Sequence, residues 1–321
     1  MQYKNKIIFY SPSDLITFME SAFASHMERC RLEDRSHSTL MDPEDAMLKN
    51  LQKKGYKHED AFLAKLIANG TNVVEIERAG SDIMLAKTRE AMAAGAEVIA
   101  QAYLKLDNFG GMADFLVKVP GKSRFGNYHY EVWDTKLSKK MKPYFAIQLC
   151  CYAEMLESVQ GVRPKEVAIV LGNNETSSLR VQDYFGYYSA LKSSFILFHS
   201  NWKPDRQPDP AESNTHGRWS QHAGNILKER RHLSLVANIT RTQIKRLESA
   251  GINTIDHIAS TTLTLVPKLS RDILERLKAQ AGIQISSEGK DKPHYKVLPH
   301  DADRSLGLAL LPPHSDFDVF F

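Results

Sequence analysis

Two stretches of the chain, residues 112 to 119 (MADFLVKV) and 128 to 136 (YHYEVWDTK), are rich in Val, Phe, Tyr and Trp set between polar positions. The intervening PGKSRFGN carries Pro120, Gly121, Gly126 and Asn127, so the spacing predicts two strands joined by a hairpin loop. Upstream, KKGYKHEDAFLAKLIANG puts Phe62, Leu63, Leu66 and Ile67 on one face of a predicted helix. Glu59 stands three, four and seven residues before Phe62, Leu63 and Leu66, and His58 four before Phe62, so both point toward whatever that face packs on. Downstream, KPYFAIQLCCYAEMLESVQG predicts a second helix, starting near Pro143 and stopping at Gly161, with Gln148 and Tyr152 sharing a face. RPKEVAIVLGNN supplies another core strand, and VQDYFGYYSALKSSFILFHSNW reads as a helix with many aromatics.

Periodicity breaks in WKPDRQPDPAESNTHG, where Pro204, Pro208 and Pro210 predict a linker over residues 204–224 between a domain at 1–203 and a helical module at 225–284. In that module, ITRTQIKRLESAGINTIDHIAS reads as helix, turn at Ala250-Gly251-Ile252, helix. The turn resembles a helix-hairpin-helix unit, which offers backbone N–H groups to phosphates without reading bases. The partner segment LTLVPKLSRDILERLKAQAG has Val266-Pro267-Lys268-Leu269 in place of a second glycine turn, and a small helical bundle that only packs on its neighbour is the other reading. HGRWSQHA, with His216, Arg218, Trp219 and His222, has the residues to stack a base or bind metal, but such a cluster more often fixes a joint. Residues 285–321 read as a linker or tail.

Composition adds bounds. With 42% hydrophobic and 25% charged residues the chain is near the globular average, and no apolar run approaches the ~18 residues of a membrane span. The N-terminal apolar stretch is too short for a signal peptide, and three cysteines fit a reducing, cytoplasmic setting. A net charge of +4 argues little for nucleic acid, but its distribution says more. Between Asn225 and Gly282 ten Lys and Arg face five acids, an excess that includes Arg241, Lys245 and Arg246, and Lys139, Lys140 and Lys142 follow the second strand directly. Solvated helix faces carry such lysines as often as phosphate contacts do.

The chemistry is carried by Asp114 on the first strand and Asp134-x-Lys136 on the second. Period two puts Asp134 and Lys136 on one side of the sheet, and Asp114 reaches the same patch if the hairpin register permits. Two carboxylates in one place repel unless a cation lies between them, and oxygen ligands suit a hard ion such as Mg²⁺ or Mn²⁺. A lysine beside such an ion offsets charge on a phosphoryl transition state. Alone, an Asp-x-Lys triplet is more often a solvated strand edge. Gln148 and Tyr152 likewise read as satisfied core polars, and the His58-Glu59 pair as an ordinary helical turn.

The ordered set His58-Glu59, Gly111-x-x-Asp114, Asp134-x-Lys136 and Gln148-x-x-x-Tyr152 resembles the RecB-type nuclease branch of the PD-(D/E)XK superfamily. The wording SPSDLITFMES, YEVWDTKLSKKMKPYFAIQLCCYAEMLE, HGRWSQHA and GLALLPPHSDFDVFF extends the likeness over essentially the whole chain. The resemblance implies an α/β fold with a restriction-endonuclease-like mixed sheet flanked by helices, followed by a small all-α module. It implies a Mg²⁺- or Mn²⁺-dependent deoxyribonuclease acting on single-stranded or end-containing DNA in repair or recombination, with a helicase or an RNase H-like exonuclease domain as a further partner. By the same likeness His58, Asp114, Asp134 and the carbonyl of Thr135 are metal ligands, Lys136 is the catalytic lysine, and Gln148 and Tyr152 position the site. Glu59 and Glu97 are nearby acids without an assigned role, Glu97 being placed on the first core strand. Relatives that hold an iron-sulfur cluster do so with four cysteines; Cys30, Cys150 and Cys151 cannot furnish one, and FMESAFASH and THGRWSQHA contain none, so no cluster is expected. The chain ends where relatives enter an RNase H-like domain, which predicts a fragment of a longer protein. A retired nuclease that only binds DNA, or an adaptor recruiting a helicase, is the alternative.

Overall fold

A computed structural model describes residues 1–4 and 7–297. A ribbon of β1 (Gln2–Lys4) and β2 (Ile7–Phe9) leads into α1 (Pro12–Glu20) and α2 (Ala22–Glu33). The Ser11 side chain accepts from Asp14 N while Asp14 accepts from Ser11 N, and this reciprocal cap, with Pro12 in the first turn, starts α1. After α3 (Ala46–Ala68) come β3 (Val73–Glu75), α4 (Ser81–Ala94), β4 (Val98–Leu106), β5 (Phe109–Ser123), β6 (Gly126–Lys136), α5 (Pro143–Gln160), β7 (Glu166–Leu171), β8 (Thr176–Arg180) and α6 (Val181–Ser200). The strands β3 to β8 lie side by side in chain order in one six-stranded sheet. Pairing is parallel for β3 with β4 and β6 with β7, and antiparallel elsewhere, so the sheet is mixed and the architecture α/β.

Helices cover both faces of the sheet. On one, Phe62, Leu63 and Leu66 of α3 pack on Val98, Ala100 and Phe115, with the Phe62 and Phe115 rings edge to face at 5.2 Å. On the other, Leu149, Cys150 and Leu156 of α5 belong to the large core with Ile99, Leu116, Val132 and Ile169. No helix among the described residues is long and apolar enough to cross a membrane.

The chain divides within α7 (Ser220–Glu229) into one compact unit, Met1–Ile226, and another beginning at Leu227. Much of residues 204–224, read above as linker, is anchored: Pro210 and His216 are buried, and Trp219 is 1% exposed in a small cluster with Phe23, Met27 and Ala223. An indole of that size recovers more free energy from burial than a free tether can offer. The second unit contains α8 (Arg241–Ser249), α9 (Ile255–Ser260) and α10 (Arg271–Ser286) around its own core of Leu247, Ile252, Ile258, Val266, Leu274 and Leu277. Gly251 turns the chain between α8 and α9 at φ +82°, a left-handed conformation that suits glycine. Lys268 takes the same region at φ +64° in the Val266–Leu269 turn, closed by Leu269 N donating to Val266 O at 3.1 Å. The second turn therefore exists without its glycine. Helix α10 extends to Ser286, into the segment read as tail, and the expected passage into a further domain at Val319, Phe320 and Phe321 lies outside the described residues.

Candidate metal centre

The hairpin register brings the two aspartates together. The β5–β6 ladder pairs Leu116 with Val132 and Phe115 with Trp133, so one step further Asp114 falls opposite Asp134. Both Thr135 N and Thr135 Oγ1 donate to Asp114 Oδ2, at 2.8 and 2.9 Å, which fixes that carboxylate beside β6. Asp134 is 3% exposed, and Lys136, two residues along the same strand, brings its Nζ to 2.5 Å from Asp134 Oδ2. The contact is a buried ion pair that ties the lysine to this carboxylate oxygen. Burial and the neighbouring Asp114 charge push the Asp134 carboxyl upward. Burial works against the Lys136 ammonium, but the Asp134 carboxylate more than offsets it and holds Lys136 above its ordinary value. The Phe145 ring lies 5.6 Å from Lys136 Nζ and limits where the ammonium can swing.

Helix α5 holds β5 at this level. Tyr152 OH donates to Met112 O at 2.5 Å, two residues before Asp114, and the Gln148 side chain hydrogen-bonds to Tyr152. A Cβ on Gly111 would stand 3.0 Å from Tyr152 OH and 3.0 Å from Pro12 Cδ, so glycine permits the close approach of strand and helices. Gln148 is half-buried, Tyr152 buried, and their tie to β5 serves to place Asp114.

From α3 it is Glu59 that comes closest to the aspartates in electrostatic effect. Burial, then the charge of Asp114, raise its carboxyl to about 7, while Gln101 and Lys136 pull it down. The Gln101 amide donates to Glu59 Oε1. Gln101 falls opposite Asp114 in the β4–β5 register and has φ +54°, unusual for a residue with a Cβ. At this level the sheet changes sides: Ala100 and Phe115 pack with α3, whereas the next pair, Ala102 and Ala113, belong to the core that includes α5. The irregular backbone at Gln101 thus lets an acid from the α3 side act on carboxylates from the α5 side.

The remaining assigned residues are dispersed. His58 is half-buried and its Nε2 lies 3.3 Å from Val170 O on β7; with Nε2 donating there, the ring's lone pair is on Nδ1. Glu97 sits just before β4 and accepts from Asn72 N at 2.7 Å, away from the aspartates. Lys139, Lys140 and Lys142 are exposed in the loop after β6. Arg241, Lys245 and Arg246 line α8 in the second unit, the first two exposed and Arg246 half-buried. The cysteines are buried, and desolvation pushes the thiols of Cys30 to about 11 and of Cys150 and Cys151 to about 12, as expected of apolar packing residues. FMESAFASH and THGRWSQHA do meet, through Ser21 Oγ at 3.0 Å from His216 Nδ1 and Phe23 edge-on to His216, and just beyond the first segment Glu28 accepts from Trp219 Nε1 at 2.9 Å.

Among the described residues no three His, Cys, Asp or Glu side chains gather as a metal-binding group. The donors that do face one another, Asp114 and Asp134, are hard oxygens of the kind a divalent cation takes. Three acids share one lysine here, which also fits a divalent ion. No protein-family model matches the chain, and no curated protein matches it.

Proposed function

We propose that this chain is a metal-dependent nuclease that hydrolyses DNA phosphodiester bonds, of the RecB-type PD-(D/E)XK kind that its motifs resemble. One observation supports the reading above the others: two aspartates from adjacent strands in register, Asp134 buried and Asp114 half-buried, stand beside a single lysine ammonium. A structural ion pair has no use for the second acid. A Mg²⁺ or Mn²⁺ ion held by Asp114 and Asp134, with the Thr135 carbonyl at hand, would supply Lewis-acid polarisation of the scissile phosphate. Lys136 then places its positive charge against the non-bridging oxygens, where negative charge grows in the transition state. Glu59, with its carboxyl near 7, is poised to take a proton at neutral pH. Lys139, Lys140 and Lys142 border the site and meet the DNA backbone. A single-stranded or end-containing substrate, a helicase or RNase H-like partner and a cytoplasmic setting belong to the same proposal.

Purified protein incubated with labelled single- and double-stranded DNA in Mg²⁺, Mn²⁺ or EDTA tests it. Cleavage should require metal and fall by ~10²-fold or more in Asp134→Ala and Lys136→Ala, the loss typical of removing one electrostatic stabiliser. Asp114→Ala should in addition weaken Mg²⁺ binding in calorimetry. Undiminished metal-dependent cleavage in either of the first two variants sinks the assignment. Salt-sensitive binding without cleavage would mark a retired nuclease, and neither activity an adaptor.

A further inference from the structure

Among the described residues, six other than glycine take a positive φ, and five of them, Asp107, Asn174, Arg231, Asn238 and Lys268, stand in turns or bends between elements. The sixth, Gln101, lies inside a strand, β4, at φ +54°. The pairing around it gives no reason for that backbone. Ala100 pairs with Phe115 and Ala102 with Ala113, so the β4–β5 register is the same on both sides and no extra residue has been accommodated. A glutamine held in the left-handed region stores strain that glycine there would not. What the turn changes is the side of the sheet from which the carboxamide acts. Alternation along β4 puts residue 101 with Ile99, in the core that includes α5, yet the Gln101 carboxamide donates to Glu59 Oε1 on α3.

Building on the metal-dependent nuclease reading, we infer that Gln101 is a positioning residue of the aspartate centre: its left-handed backbone serves to turn the carboxamide to Glu59 and to hold that carboxylate beside Asp114. Glu59 needs holding, because it faces a cavity of about 200 Å³ that Tyr56, Glu75, Glu77, Arg78 and Gln101 also line. In that space Arg78 is the cation toward which a free carboxylate would swing. As it stands, the largest charge effect on Glu59 is that of Asp114, so the acid is kept on the side of the aspartates. Both Glu59 and Gln101 are half-buried, where a directed hydrogen bond fixes more than it does in open water. The carboxamide suits the task. A lysine or arginine at this position would neutralise the acid and another acid would repel it, whereas a neutral N–H donor sets its direction and leaves its charge in place. An acid takes part in proton transfer only within hydrogen-bond reach of the group it serves, so the hold on Glu59 bears on turnover. Gln101 touches neither the phosphate nor the ion and acts through Glu59.

Steady-state cleavage by the full chain in Mg²⁺ tests this, on short labelled DNA in whichever strand form the wild type cuts, with a melting curve for every variant. Gln101→Gly keeps the left-handed backbone without its strain and loses the amide. It should melt no lower than wild type, yet kcat should fall by about tenfold or more with KM within about twofold, the pattern of a displaced catalytic group. Gln101→Glu, of the same size, sets a like charge against Glu59 and should lose at least as much turnover. Glu59→Ala should also be slow, and Glu59→Ala/Gln101→Gly should be no slower than Glu59→Ala alone, because Gln101 works through that acid. A residue that only supports the strand would instead lower stability and turnover together, and its effect would add to that of Glu59→Ala. A Gln101→Gly kcat within about twofold of wild type, a loss of turnover that tracks a loss of stability, or an additive double variant overturns the inference. The nuclease reading is judged separately, by cleavage in the wild type and its loss in EDTA and in Asp134→Ala. Absence of metal-dependent cleavage removes that reading and the role of Gln101 with it, whereas an additive double variant in a chain that cleaves removes the role of Gln101 alone.

Discussion

At the scale of single residues, Glu59, Asp114 and Asp134 share one ammonium, and this makes metal-free stability depend on pH with a definite sign. Both Glu59, near 7 from an ordinary 4.5, and Asp134, raised by burial, are harder to ionise folded than unfolded. A raised folded value stabilises the native state fully below the unfolded pKa, and that contribution is lost as pH rises through the folded one. In EDTA the melting temperature should therefore decline from about pH 4.5 to beyond 7. Mg²⁺ should recover it at the alkaline end and do little at the acid end, where the carboxyls hold protons instead. Melting curves across that range, with and without Mg²⁺, check it, and a Mg²⁺ effect as large at pH 5 as at pH 8 contradicts it. Gln101→Leu removes the amide that steadies the Glu59 carboxylate and should steepen the metal-free decline.

At the scale of elements, the site is a strand pair braced by one helix. Tyr152 of α5 grips β5 through Met112 O, and Gly111 lets the two approach. Tyr152→Phe should cost about 0.5–1.5 kcal/mol in urea unfolding. Gly111→Ala should cost about 1–3 kcal/mol, because the new methyl displaces either Pro12 or Tyr152. Both should lower cleavage more than binding, since Asp114 loses its support; a Gly111→Ala protein as stable as wild type would show that the approach is looser than described. These elements were legible in the sequence because period two fixes which strand residues share a face, and spacing of four does the same for Gln148 and Tyr152. What spacing cannot express is what waits across the sheet. Val170 O meets His58, and the left-handed Gln101 turns the adjoining Glu59 into the acid that senses Asp114. Prolines read as linker around Pro210, yet Trp219 beyond them finds Phe23 and Glu28, partners some 190 residues away in sequence that no local pattern reveals.

At the scale of the molecule, two units with separate cores divide the work that the proposal requires. The aspartate pair lies wholly in the first. The second has its own apolar centre, an Arg231 clasped by Asp256 at 2.5 Å and Glu288 at 2.6 Å, and an excess of Lys and Arg that includes Arg241, Lys245 and Arg246. A core of twelve buried residues, closed by caps such as Thr240 on Gln243 N, is enough to expect residues 220–297 to melt cooperatively on their own. Placing the chemistry in one unit and much of the phosphate affinity in the other predicts how they separate. A chain ending at Arg230, with α7 kept whole, should retain metal-dependent turnover at saturating short substrate. Its DNA affinity should fall, and if the three α8 cations each neutralise a phosphate, the slope of log affinity against log salt should become shallower by roughly 2 to 3 units. Charge reversal at Lys245 and Arg246 in the full chain should reproduce part of that change without touching turnover. An unaltered salt slope in both proteins would place DNA affinity in the first unit, at Lys139, Lys140 and Lys142, and leave the helical unit without a part in binding.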